Sequence, residues 1–72
     1  MVKIKIEICL KKNRIKRGLS IVELARISGV SKTHISDIET GRRMPGLYVL
    51  CQLAAAMDLD VRELFTYRVE KK

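Results

Sequence analysis

Tryptophan is absent from this 72-residue chain, and phenylalanine, proline and histidine each occur once. With so few aromatics the core has to be built from Leu, Ile, Val and Ala, which favours helices. The two cysteines, Cys9 and Cys51, have no CxxC spacing and no His pair beside them. That is too little for a secreted disulfide framework or a zinc site, so both are expected to be small apolar core residues in a reducing compartment. A single His34 and no metal-ligand spacing leave no converging acid, base or nucleophile. Neither an enzyme nor a metal or other cofactor is expected. No apolar run approaches the roughly 18 residues of a membrane span. Residues 1–10 alternate Lys with Ile around Glu7, which makes a poor signal-peptide core. A soluble, cytoplasmic protein without membrane attachment is therefore expected.

Present instead are 47% hydrophobic residues, no low-complexity run, and a net charge of +7. This is the composition of a folded chain, at a length that allows one small domain. A core of that size holds roughly 3–5 kcal/mol unless something staples it. The charge is unevenly spread. Residues 1–43 carry eleven Lys/Arg against four acids, whereas residues 44–72 carry four of each. A one-sided basic field suits a polyanion, nucleic acid before membrane.

Along the chain, Val2, Ile4, Ile6 and Ile8 alternate with Lys3, Lys5 and Glu7, and Phe65, Tyr67 and Val69 alternate near the other end. Period-2 alternation marks half-buried strands. The two segments could pair with each other, pair across a dimer, or fray beside a first helix that starts early. A Lys/Arg-rich helix is predicted from Glu7 to Arg17, stopped by Gly18. Ser20 and Glu23 form a capping-box pattern for a second helix from Ile21 to Ser28, closed at Gly29. Ser31 caps a third helix through Thr40, and Gly41 ends it. Pro45 is expected to open a fourth helix reaching Met57, with Leu47, Leu50, Leu53, Ala54 and Met57 on its apolar side. Asp60 with Glu63 repeats the capping-box pattern for a last turn, Val61 to Phe65. The reading is all-α, a five-helix single domain over 1–72 with its packed part at 7–65, to which short strands at the N- and C-termini could add a pair.

The informative stretch is 21–40. Ala25 is small enough for two helices to cross closely, and Gly29 can take a positive φ in the turn between them. Leu24, Val30, Ile35 and Ile38 supply an inward wedge. Lys32, Thr33, Ser36, Asp37 and Thr40 fall on the opposite face at helical spacing. Short hydrogen-bonding side chains near a helix N-terminus suit base edges in a major groove.

With these residues goes a longer pattern: Arg14-x-x-x-Gly18-Leu19-Ser20, Glu23-Leu24-Ala25, Gly29-Val30-Ser31, Ile35-Ser36-x-Ile38-Glu39-x-Gly41-x-x-x-Pro45, and Leu53-Ala54-x-Ala56-Met57. The chain resembles the lambda-repressor/Cro-type (Xre-like) helix-turn-helix family from about Leu10 to Leu64. The resemblance implies a transcriptional regulator, a repressor before an activator, that reads operator DNA with residues 31–40. It implies base contacts from Lys32, Thr33 and Asp37, with Ser36 at their margin. Phosphate contacts are expected from Ser31, Thr40, Arg42 and Arg43. Arg14 and Glu39 match a pair that braces the first helix against the third in relatives.

Two positions depart from the family pattern. Ile21 stands where relatives usually carry Gln, so one polar contact is expected to be missing. Asp37 directs a carboxylate toward DNA, favourable against a cytosine amino group and costly beside a phosphate. His34, between the two faces, is expected to be structural. Double-stranded operator DNA and a second copy are the expected partners, with the dimer contact left between helix 5 and the terminal strands. The main alternative is an antitoxin or other protein-interaction module of the same fold, with a protein partner that the sequence does not identify. RNA binding lacks stacking aromatics, since Tyr48 sits in the fourth-helix pattern and Tyr67 in the tail.

Overall fold

The computed structural model describes residues 1–71; Lys72, the last residue of the expected domain, lies outside the described residues. The element order is β1 (Val2–Ile8), α1 (Leu10–Lys16), α2 (Ile21–Ser28), α3 (Lys32–Glu39), α4 (Leu47–Ala56), a one-turn 3-10 segment (Val61–Leu64) and β2 (Phe65–Lys71). Among the described residues there are thus four α-helices and one two-stranded antiparallel sheet.

The five-helix, all-α expectation does not hold. Asp60 does cap a helical start: its carboxyl accepts from the Arg62 N–H at 2.8 Å, and the Glu63 carboxyl accepts from the Asp60 N–H at 3.1 Å. The helix stops after one turn, because Phe65 is extended (φ −153, ψ 155) and opens a run of β-formers. A single turn cannot offset the cost of nucleating a helix. At the other end, α1 begins at Leu10 rather than Glu7, since residues 2–8 are committed to β1. Its first turn is tied across the chain: the Cys9 N–H donates to the Leu64 carbonyl at 2.7 Å, and Asn13 Nδ2 donates to the Cys9 and Glu63 carbonyls. Likewise α4 begins at Leu47, with Gly46 in the N-cap position, two residues after the expected Pro45.

The strands pair in a register that sets Ile4 opposite Val69, Ile6 opposite Tyr67 and Ile8 opposite Phe65. The apolar rows therefore coincide on one face, and Lys3–Glu70, Lys5–Arg68 and Glu7–Thr66 share the other. Only Ile8 and Phe65, at the base of the ribbon, pack against the core. That core gathers Leu10, Leu24, Val30, Ile35, Ile38, Leu50, Leu53, Ala54, Met57 and Leu64 from all four helices and the 3-10 turn. Two expectations about it fail. Leu47 is exposed, and so is Cys51, whose position on α4 lies off the buried 50, 53, 54, 57 stripe.

The Asp60 cap carries a pH dependence. The Arg62 side chain, then the Arg62 backbone N–H, hold the Asp60 carboxyl at about 2, below its ordinary 3.8. A carboxyl whose pKa falls on folding stabilises the folded state above its unfolded value, and that contribution is lost as pH falls through the folded value. The last turn and β2 are therefore expected to loosen between pH 3.8 and about 2. An NMR titration of the Asp60 carboxyl carbon checks this; a midpoint at the ordinary value would contradict it.

Candidate nucleic-acid interface

Between α2 and α3 the chain turns in three residues. Ser20 accepts from the Glu23 N–H at 3.0 Å while Glu23 accepts from the Ser20 N–H at 2.9 Å, so both orphan donors at the start of α2 are satisfied. These bonds, the Ser20 N–H first, hold the Glu23 carboxyl below the ordinary carboxylate range. Gly29 closes α2 in the left-handed region (φ 78), donating to the Ala25 carbonyl at 3.0 Å. A side chain there would be strained by backbone conformation rather than by lack of space, since the nearest atom to a built Cβ is Gln52 Nε2 at 3.9 Å. Val30 then drops into the core, and the Ser31 hydroxyl accepts from the His34 N–H at 3.1 Å to start α3.

Buried Ile35 and Ile38 fix the roll of α3. Ser31, Lys32 and Thr33 are consequently exposed, with Ser36 half-buried beside them. Thr40 is exposed too, but its hydroxyl donates back to the Ser36 carbonyl at 2.9 Å. His34 is half-buried at the edge of this face. Ile21, at the first position of α2, is half-buried and packs against the core, so that position offers an apolar contact inward rather than a polar one outward.

After α3, Gly41 bends the chain so that the Arg42 and Arg43 N–H groups both donate to the Asp37 carbonyl, at 2.8 and 3.2 Å. Arg42 Nη1 lies 4.0 Å from Asp37 Oδ1, with the Arg42 side chain 79% exposed. Two residues assigned to separate tasks, base edge and phosphate, are thus neighbours. At that distance and exposure the pair adds little to stability, but Arg42 offsets the Asp37 charge on a surface otherwise set by Lys32 and Arg43. Sequence reasoning misses this contact. Its one signal is the five-residue spacing across a Gly41 turn, which folds the loop back onto the last turn of α3.

Behind this face Arg14 and Glu39 form a two-pronged pair. Arg14 Nε donates to Glu39 Oε2 at 2.7 Å and Nη2 to Oε1 at 3.1 Å, while Nη1 donates to the Leu19 carbonyl at 2.9 Å. Side-chain exposure is 11% for Arg14 and 5% for Glu39. The hydrogen bonds to Glu39 outweigh the effect of burial and raise the Arg14 pKa above its ordinary value. One guanidinium thus ties α1, the turn after it and the end of α3 together.

The family model described as helix-turn-helix matches residues 10–64. The chain belongs to the helix-turn-helix family. Within that family it is similar to the ImmF control region 10 kDa protein of Bacillus phage phi105, 36% identical over 55 residues covering 76% of this chain and 61% of that protein. It is similar also to the HTH-type transcriptional regulator SlrR of Bacillus subtilis (strain 168), 40% identical over 53 residues covering 72% of this chain and 35% of the regulator. The chain therefore spans less than two thirds of the length of these curated relatives. Among solved structures, the restriction-modification controller protein C.AhdI from Aeromonas hydrophila superposes with a TM-score of 0.72 at 35% identity. That match covers 75% of this chain and 82% of the controller. The matched segment of the helix-turn-helix domain begins at Leu10 and ends at Leu64, so both strands of the ribbon lie outside it. No helix among the described residues is long and apolar enough to cross a membrane.

Proposed function

We propose that this helix-turn-helix chain is a sequence-specific DNA-binding transcriptional regulator that lays α3 in the major groove of an operator. The observation that carries the reading is the outer face of α3. Ser31, Lys32 and Thr33 stand exposed on its N-terminal turn, held there by buried Ile35 and Ile38. In this reading Lys32 and Thr33 meet base edges, with Ser36 and Asp37 at the margin of the same footprint. Ser31, Thr40, Arg42 and Arg43 meet phosphates. Repression results wherever the operator overlaps a promoter, because an occupied groove excludes polymerase. The names of the relatives, a phage control-region protein, a transcriptional regulator and a restriction-modification controller, support the same use.

One α3 reads only a few base pairs, and a symmetric pair doubles that information. Two copies are therefore expected on a two-fold operator with half-sites about 34–36 Å apart. A footprint with a single unpaired half-site would contradict the two-copy arrangement.

The phosphate assignment has its own test. Each lysine or arginine that neutralises a phosphate releases counterions, so the log–log slope of affinity against salt counts such contacts. Arg42→Ala and Arg43→Ala are each expected to reduce that slope by about one unit and to weaken all duplexes alike. Fluorescence anisotropy on labelled duplexes at several salt concentrations measures both. A wild-type affinity for duplex that does not respond to salt would rule out the phosphate assignment.

A further inference from the structure

The terminal ribbon leaves one apolar face with nothing on it. Ile4, Ile6, Tyr67 and Val69 share that face by register, and each keeps about half or more of its surface in water. Ile6 also borders a hollow of 170 Å³ that Met44, Pro45 and Leu47 line from the start of α4. The ribbon face and this helical shoulder are thus one continuous patch. Its six large side chains, Ile4, Ile6, Met44, Leu47, Tyr67 and Val69, are 46–69% exposed.

Such a patch is costly to leave bare. A two-stranded ribbon is marginal in water unless its apolar face packs on something. Here the core covers only the Ile8–Phe65 end, which is why the molecule measures 43 × 22 × 20 Å rather than being round. Six half-exposed large side chains present several hundred Å² of apolar surface. That reaches the scale of about 300–600 Å² for the largest patch on an ordinary monomer and, with its polar rim, approaches the roughly 800 Å² per partner of a stable interface.

We infer that a second copy of this chain covers the face, ribbon against ribbon about a two-fold axis passing near Ile6. The choice of a second copy rests on the proposed two-copy binding of DNA and on charge. A chain of net charge +7 can approach itself closely only where its cations are not. Alternation puts Lys3, Lys5 and Arg68 on the opposite face of the ribbon; Lys71 shares the apolar face only at its far tip, opposite Val2, and none of the six central residues is charged. An acidic or basic partner would find no counter-charge within the patch. A two-fold mate brings an equal apolar area with the same absence of charge, and isologous contact requires that self-complementarity. The pairing also leaves both copies of α3 uncovered, because no α3 residue takes part. The patch combines residues that the helix-turn-helix match includes, Met44 and Leu47, with strands that lie outside it.

Sedimentation of the full chain over a concentration series tests this, with Ile6→Lys and Tyr67→Lys as ribbon variants and Ile15→Lys, an exposed site on α1, as the control. The wild type and Ile15→Lys are expected to form the same dimer. Each ribbon variant is expected to raise the dissociation constant at least about 100-fold with unchanged helical circular dichroism. A photo-crosslinking residue in place of Tyr67 is expected to yield a covalent dimer, and in place of Ile15 none; this decides the matter if a lysine variant unfolds. A wild type that stays monomeric through the millimolar range, or ribbon variants that associate like the wild type, would overturn the proposal. Duplex binding measured on the same samples separates the two readings. A wild type that dimerises through the ribbon but binds no duplex refutes the DNA reading and supports this one, whereas a DNA-binding dimer indifferent to Ile6→Lys refutes only this one.

Discussion

Replacing Glu39 with alanine is expected to cost about 3–5 kcal/mol and to leave most of the chain unfolded at room temperature. The cause is the position of Arg14, whose side chain is 11% exposed and keeps three donors engaged, two of them on Glu39. Without the carboxylate, a nearly buried cation loses its counter-charge and cannot recover water. Arg14→Ala is expected to be as severe, since Glu39 is buried still more deeply. For a 72-residue chain whose core holds roughly 3–5 kcal/mol, either loss exhausts the margin. The double variant with methionine at both positions should recover much of it, because apolar residues of similar volume do not leave a charge stranded. Urea unfolding of wild type, the two alanine variants and the double alanine variant closes a double-mutant cycle, with the methionine pair measured beside it. A coupling energy within the roughly 0–1 kcal/mol of an exposed pair would show that the pair does not brace α3.

Ile35→Ala is expected to destabilise by about 2–5 kcal/mol, the second large effect. Ile35 is fully buried in the shared core, on the inner face of α3, and α2 packs directly against this helix. Truncation removes apolar burial and leaves a cavity that short helices joined by a tight turn cannot close without moving. Ile35→Val should cost only about 0.5–1.5 kcal/mol, so the pair of variants separates lost volume from a general intolerance of change. Any surviving folded Ile35→Ala should also bind duplex more weakly, because the same residue sets the roll that exposes Lys32 and Thr33. A Tm equal to that of wild type would mean that the wedge does not hold α3.

Much of the helical part is legible in the sequence because its signals are local. Ser20 with Glu23, Gly29, and Ser31 each mark a boundary through a bond or a dihedral within four residues, and α2 starts and stops where they say. The inward set Leu24, Val30, Ile35 and Ile38 can be read from period alone. Signals that give a start but no length are less informative. Asp60 and Glu63 cap a helical turn, yet the conformation beyond Leu64 depends on β-forming residues that also have to find a partner strand. Alternation in residues 2–8 and 65–69 tells which side chains share a face, not which strand lies alongside; only the register Ile8–Phe65 to Val2–Lys71 answers that. Exposure on α4 is only partly legible. Leu47–Ala56 is apolar nearly all round, so the period finds the buried Leu50, Leu53, Ala54 and Met57 but takes in Leu47 as well, and the expectation that Cys51 is a core residue rests on its chemistry rather than its position; both face water. The contact of Asp37 with Arg42 depends on a loop conformation for which the sequence offers only the spacing across Gly41.

The central claim is that α3 specifies sequence while the flanking arginines only position the protein. It is tested most directly by measuring the affinities of Lys32→Ala, Thr33→Ala and Arg43→Ala on an operator mutated at every position. Losses of about 1–3 kcal/mol on the preferred operator, with preference relaxed at one or two base pairs, are expected for Lys32→Ala and Thr33→Ala. Arg43→Ala should weaken every duplex by a similar factor and leave the order of preference intact. Unchanged base preference in the two α3 variants, together with altered preference in Arg43→Ala, would mean that a different surface of the molecule faces the DNA.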